Sequence, residues 1–463
     1  KFILRLDSRL SAIDGSLRDA GMTKNFVIRK HLTSRLLTIS FLTAVLFGVP
    51  FVASAIPNNH DYPRVLAWQL NTGKTSASEL AKYDAVIFNM NAHVSHPQLI
   101  KDVRRLNPNI VILAYTSGVE YPALRMNDVE PLGYGPWTEL GKGIVPEWRL
   151  RTWDGKDVSF WYQHWGMNPN AVSRSGVSYA DYAANVLVKE VLNSGQWDGL
   201  FFDTTWDTVS WKDENIDING DGRKDTKAFI DQKWHDGQQA MFNAIRRQVG
   251  DKYLIITNGD GKFSDVNNGR MFESFPEFYE GGWVGSVDRY LATDRAGRAP
   301  RFNIVNVDTD NSGNFRNFSW MRFGLASSLL ANGYYNFDYG TSDRSYVNYY
   351  DEYDVSLGRP TAAAYNVTSA QGTTVSSGLW RRDFEKGIGL ANSGQQTRTY
   401  VLPGNFEKIR GRQDPLINDG SLVSRVTIGP NDGLVLLRPL QEVLGATYAN
   451  RAYARVFSGD TKQ

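Results

Sequence analysis

The sequence predicts an α/β chain, a (β/α)8 TIM barrel followed by a small C-terminal antiparallel β-sandwich. Three observations predict it. Beyond residue 60 short apolar runs alternate with helix-like segments, as successive βα units require. Eight such runs precede Gly358-Arg359-Pro360, and each ends in a polar or aromatic residue. After that point the chain turns to short strand-like runs broken by Asn, Asp and Gly.

The strand candidates are Arg64–Asn71, Tyr83–Asn91, Asn109–Thr116, Trp197–Thr204, Tyr253–Asn258, Arg270–Glu273, Phe302–Asp308 and Tyr334–Asp338. Most are apolar on both faces, which suits parallel strands covered by helices. Between them Pro97–Leu106, Tyr179–Asn193 and Lys227–Gln248 read as helices. In the second, Ala180, Ala184, Leu187, Val188 and Val191 fall on one face, and in the third Ile230, Trp234, Met241 and Ile245 do. The stretch Gly118–Gly176, rich in Trp, Gly and Pro, breaks the alternation and predicts an elaborated loop with a hairpin over the barrel rim. The barrel is expected over 60–357 and the β domain over 360–440, with 441–463 as a tail. Asn418-Asp419-Gly420 and Asn431-Asp432-Gly433 are turn triplets between its strands.

The N-terminal stretch is expected to stand apart from the fold. Met22 is the first methionine. It is followed by Lys24, Arg29, Lys30 and Arg35, an apolar stretch Leu36–Val52, and Ala53-Ser54-Ala55 as an A-x-A site. Residues 22–55 therefore read as a signal peptide cleaved after Ala55, and 1–21 as upstream non-native sequence. The mature protein is expected to be secreted or periplasmic, without a membrane span, and monomeric.

Composition removes several classes of chemistry. The 51 Lys+Arg against 49 Asp+Glu leave a net charge of +2 with no basic block, which argues against a nucleic-acid partner. With no cysteine there can be no disulfide, thiolate metal site or cysteine nucleophile. The six histidines show no H-E-x-x-H spacing, and P-loop, G-x-S-x-G and G-x-G-x-x-G patterns are absent.

What remains is carboxylate chemistry. The run Asp198-Gly-Leu-Phe-Phe-Asp203-Thr delivers Asp203 to a strand end, and Arg270-Met-Phe-Glu273 delivers Glu273 two strands further round. Glycoside hydrolysis needs two carboxyl groups flanking one bond, one protonated and one ionised. Asp203 is expected as nucleophile or base. Glu273, beside Phe272 and Phe275, is expected as general acid. Trp68, Tyr115, Trp206, Asn258, Asp260, Asp308 and Asp338 are the expected substrate-binding residues. Asp207, Asp260, Glu277, Asp308 and Asp338 are reserve carboxylates, each read as a substrate hydrogen-bonder or structural residue, and Trp211, Tyr279 and Trp283 are further rim aromatics. No cofactor is expected for the chemistry. The loop Asp217-Ile-Asn219-Gly-Asp221-Gly222-Arg-Lys-Asp225 has the oxygen spacing of a calcium loop. It departs from the EF-hand in carrying Ala228 where a bidentate Glu belongs, so a structural Ca2+ and an ion-free Asx-turn are both open.

Taken in order, DGLFFDTTWD, DINGDGRKD, IITNGDG, GRMFESFPEF and GLWRRDFEKGIGLANSG resemble hypothetical glycosyl hydrolase family 15, distinct from the glucoamylases that share its number. The resemblance runs from about Tyr62 to Arg438. It implies a TIM barrel akin to retaining α-glycosidases, with an Asp nucleophile on strand four and an acid on strand six, and an amylase-type terminal β domain. By position it points to Asp203 and Glu273. The expected function is thus a secreted glycoside hydrolase acting on a polysaccharide or oligosaccharide. The alternative is a non-catalytic carbohydrate-binding protein on the same scaffold.

Overall fold

The structure is a computed structural model and describes residues 61–122, 135–259, 261–340, 344–369 and 374–439. The expected signal peptide, the tail 441–463 and Asp260 lie outside the described residues. Among the described residues no helix is long and apolar enough to cross a membrane.

Eight parallel strands form the barrel: β1 (Leu66–Gln69), β2 (Ala85–Asn89), β3 (Val111–Ser117), β6 (Gly199–Thr205), β7 (Leu254–Gly259), β8 (Gly269–Phe272), β9 (Ile304–Asp308) and β10 (Tyr334–Asp338). They match the eight expected runs in order. β10 returns to the start of the chain, where Val65 and Tyr335 form a parallel bridge and the Tyr335 N–H donates to the Arg64 carbonyl at 2.8 Å. The lumen is filled by Leu66, Ile87, Leu113, Phe201, Ile256 and Met271 with their neighbours, so it is a packed core.

The floor of the barrel is stitched by one device used four times. The residue just before a strand accepts the backbone N–H near the start of the preceding strand. Asp84 takes Val65 (2.8 Å), Asp198 takes Ile112 (2.7 Å), Asn268 takes Ile255 (3.0 Å) and Asn303 takes Arg270 (3.1 Å). These N–H groups face the end of the sheet, where the ladder no longer supplies a partner, and short Asp or Asn side chains reach them.

Helix ends follow from local chemistry. Ser178 accepts the Asp181 N–H to start Tyr179–Val186, which runs on through a π turn, Leu187–Val191, to Gly195 at φ 70°. Thr226 caps Lys227–Val249, whose face of Ile230, Trp234, Met241 and Ile245 is buried as the spacing predicts. The long insertion after β3 contains the expected hairpin, β4 (Glu120–Pro122) with β5 (His164–Gly166).

The C-terminal domain is antiparallel throughout: β11 (Tyr365–Asn366), β12 (Leu379–Asp383), β13 (Gly387–Asn392), β14 (Arg398–Lys408), β15 (Leu422–Ile428) and β16 (Asp432–Leu437). β14 bulges between Val401 and Phe406, pairing mainly with β15 and at its end with β16. The two halves of the sheet enclose Leu379, Ile388, Leu390, Leu402, Phe406, Val426 and Leu436. Helix Phe318–Ser328 lies between this sheet and the barrel. From it Arg322, 4% exposed, makes a two-pronged pair with Asp432 (3.0 and 3.1 Å) and a third bond to Asp414 (2.6 Å).

The floor stitches carry a stability prediction. Asn268→Ala should leave the buried Ile255 N–H without an acceptor and lower unfolding free energy by about 1–3 kcal/mol. Urea denaturation measures it, and an unchanged midpoint would remove the stitches from the stability account.

Candidate active site

Asp203 and Glu273 reach the same point because their strands flank β7. Asp203 lies in β6 where the register with β7 shifts between Phe202 and Thr205, a bulge that re-aims the side chain at the mouth. Glu273 follows the last residue of β8. Each is followed by a residue in left-handed conformation, Thr204 at φ 60° and Ser274 at φ 53°. The backbone turns sharply at once and leaves the carboxylate on the rim. Such conformations are costly for residues with a Cβ and collect at functional sites.

Between them stands Asn258 near the end of β7, 9% exposed. Its Nδ2 donates to Asp203 Oδ1 at 3.0 Å and to Glu273 Oε2 at 2.7 Å. The nearest oxygens of the two carboxylates can be no further apart than those two bonds laid end to end. Next to Asn258, Gly259 admits no side chain: a Cβ there would meet the Thr205 carbonyl oxygen at 1.9 Å. That contact between β6 and β7 seats Asn258 beside Asp203.

The two acids have different surroundings. Asp203 accepts the Tyr115 hydroxyl at 2.7 Å on its other oxygen and the Thr204 N–H at 2.8 Å. Burial and the Asp203 charge hold the Tyr115 phenol well above its ordinary pKa, so it remains a donor. Glu273 is pushed above the usual carboxylate range, first by burial and then by the Asp203 charge. The Asn258 bond and Arg344 oppose the shift without reversing it. Arg344 Nη2 lies 3.1 Å from Glu273 and its Nε 3.3 Å from Asp338. Its guanidinium rests on the face of Trp68, 3.6 Å from the ring centre.

Tyr115, Asn258 and Asp338 therefore stand around the carboxylate pair, as does Trp68, buried beneath Arg344 at 4% exposure. Asp308 is beside Asp338 across paired strand ends and accepts the Asp310 N–H at 3.0 Å. Trp206 stands apart, three residues beyond Asp203, in an aromatic group with Trp161 and Trp211. Trp283, grouped by sequence with the rim aromatics, is 7% exposed and donates to Ser327 in the core. Asp207 pairs with His235 at 2.7 Å. No signal in the sequence marks Arg344, which lies six positions beyond Asp338 and belongs to no motif.

Asp217, Asn219, Asp221 and Asp225 share one loop between β6 and the Lys227 helix. Asp217 accepts the N–H groups of Gly220 (2.7 Å), Asp221 (3.1 Å) and Gly222 (2.7 Å), and Asp225 that of Ile218 (2.9 Å). Among the described residues no group of three or more His, Cys, Asp or Glu side chains gathers as a metal site.

A closed parallel barrel with paired carboxylates at its C-terminal mouth has the architecture of barrel glycoside hydrolases. The chain belongs to hypothetical glycosyl hydrolase family 15, whose model matches residues 104–388. Among solved structures it is similar to an α-galactosidase of Geobacillus stearothermophilus, with 10% identity and TM-score 0.41 over 81% of this chain and 55% of that one. The chain thus spans about half the length of that enzyme. It is also similar to the trehalulose synthase of Pseudomonas mesoacidophila (8%, TM-score 0.42) and the isomaltulose synthase of Protaminobacter rubrum (10%, TM-score 0.44). Each of those alignments covers 81% of this chain and 98% of the other. No curated protein matches the chain.

The raised pKa of Glu273 has a consequence for stability. The native chain binds that proton more tightly than the unfolded chain does. The stability this contributes is present in full below the ordinary glutamate pKa and is lost as pH rises through the raised value. Glu273→Gln should therefore melt roughly 1–3 °C above wild type at pH 7 and level with it near pH 4. Calorimetry at both pH values decides; a variant that melts lower at pH 7 would make the Arg344 pair the dominant influence.

Proposed function

We propose that the protein is an exported glycoside hydrolase that cleaves a polysaccharide or oligosaccharide with retention of anomeric configuration. The single observation that carries this reading is the Asn258 amide nitrogen shared by Asp203 and Glu273. The spread of two amide hydrogens implies carboxylate oxygens about 5 Å apart, within the range of retaining enzymes and short of the ~6.5–9.5 Å that an inverting water needs. A non-catalytic binder would have no need of that spacing. The Met22–Ala55 segment supports export.

In the first step an Asp203 oxygen attacks the anomeric carbon while Glu273 gives its proton to the glycosidic oxygen, and the C–O bond to the leaving sugar breaks. This forms a glycosyl ester on Asp203. In the second, the Glu273 carboxylate takes a proton from water, whose oxygen displaces Asp203 from the anomeric carbon and regenerates both groups. The raised pKa of Glu273 suits the first half-reaction, since the acid must hold its proton until the bond breaks. Tyr115 and Asn258 donate to Asp203 and keep one of its oxygens in line.

A digestion screen on neutral polysaccharides and oligosaccharides, read by reducing-end release and product mass, tests the proposal. Wild type should release sugar, and Asp203→Asn and Glu273→Gln should each lower the rate by about 10²–10⁴-fold. Proton NMR of the first product should show the anomer of the substrate bond. Release that survives both substitutions would overturn the site, and the opposite anomer would overturn retention.

A structural calcium ion at the Asp217–Asp225 loop is a separate proposal, supported by its spacing alone. It predicts a higher melting temperature in millimolar calcium than in chelator; equal melting in both removes it.

A further inference from the structure

We infer that Trp161, Trp206 and Trp211 form a stacking platform for a neutral polysaccharide chain, outside the carboxylate pair and on the β6 side of the mouth. The inference rests on the proposed function only in taking carbohydrate as the occupant of the mouth.

The first observation is where exposed aromatic rings occur. Among the described residues of the barrel, every exposed Trp, Tyr or Phe lies in a segment that follows the C-terminal end of a strand. The aromatics in the turns that lead into strands, Tyr83, Trp197, Tyr253 and Phe302, are all buried. Burial against the core would distribute rings over both ends of a barrel. Exposure at one end only, the end that carries Asp203 and Glu273, singles out that face.

The second observation is that the indoles of Trp206 and Trp211 are held in place, with Trp161 beside them. Trp206 lies three residues beyond Asp203, and its carbonyl accepts both Trp234 Nε1 and Gln238 Nε2 at 2.8 Å. Its ring packs on buried Phe160 at 5.4 Å between centroids. Trp161 stands 6.3 Å from the Trp206 ring and Trp211 5.0 Å from it, at interplanar angles of 49° and 82°. The Trp211 ring is fixed by its own Nε1 bond to the Thr208 carbonyl at 3.0 Å. Yet Trp161 and Trp211 remain 53% and 58% exposed. Rings anchored from below and bare above lose little freedom when something lies on them.

The chemistry of the occupant follows. A pyranose has an apolar C–H face that stacks on indole and a hydroxyl edge that needs water or polar groups. Lys212, next to Trp211 in the chain, donates to the Phe160 carbonyl at 3.3 Å. Among the described residues no Lys or Arg stacks on these three rings as Arg149 does on Trp165, so nothing there selects a phosphorylated or uronic chain. Trp206 lies three residues beyond Asp203 in the chain, so the occupant that fits is a chain long enough to reach from the mouth to these rings, a polymer and not a disaccharide.

The test separates binding from hydrolysis. Full-length Asp203→Asn protein is run in native gels containing soluble starch, dextran, galactomannan or laminarin, beside the same protein carrying Trp161→Ala and Trp211→Ala. At least one polysaccharide should retard the first, and the added substitutions should weaken that retardation about tenfold or more. An unchanged melting temperature shows that the added substitutions leave the fold intact, and Trp211→Phe should keep most of the binding. Retardation that the alanines do not alter would overturn the platform, as would no retardation of the Asp203→Asn protein by any of the four. Self-association seen by sedimentation and lost in the alanine variant would assign these rings to a second copy of the chain instead. Retardation without sugar release by the wild type would refute the hydrolase reading and leave the platform standing.

Discussion

Closure of the barrel is the constraint on which everything else rests. The Val65–Tyr335 bridge brings the last strand to the first, so each strand lies between two neighbours. Parallel strands in a closed ring end together at one rim, and side chains as distant in sequence as Trp68 and Arg344 meet there. The floor is held by Asp84, Asp198, Asn268 and Asn303, which satisfy strand-start N–H groups that the ladder leaves over. The mouth is free to carry left-handed residues, a bulge and a pair of like charges.

Those like charges are the second organising feature. Two carboxylates held near one amide nitrogen cannot both ionise cheaply in a partly buried site, so one of them must keep its proton more firmly. Asp203 has three donors, from Tyr115, Thr204 and Asn258. Glu273 has Asn258 and Arg344, and it is the group whose pKa rises. The distinction between the two acids comes from their surroundings and not from their side-chain chemistry. Arg344 has a double part: it lies over Trp68 and pairs with both Glu273 and Asp338, linking the end of β10 to the residue that follows β8.

The C-terminal sheet is joined to this arrangement by charge as well as by apolar packing. Arg322 and Arg382 are both nearly inaccessible, the first paired with Asp432 and Asp414, the second donating to carbonyls at the end of the helix Phe318–Ser328 and to Asn332. Removing either partner would leave a buried guanidinium without its bonds, which is far more costly than loss of a surface pair. Close backbone approach reinforces the contact. A Cβ at Gly433 would meet the Arg322 carbonyl oxygen at 2.5 Å, so β16 lies directly on the helix.

The sequence by itself determined the eight barrel strands and their order, the helices Pro97–Leu106 and Lys227–Gln248, the antiparallel character of the C-terminal domain, and the two acids at strand ends. Those features are written in local apolar periodicity and in the polar residue at which each run stops. Tertiary structure alone decided that one Asn258 nitrogen serves both acids, that Arg344 enters from the loop after β10, that Trp68 is covered while Trp206 stands outside, and that Trp283 is core. The physical reason is the same in each case: a side chain's periodicity reports which face it occupies, but its partner is set by which distant strand end the closed barrel brings alongside.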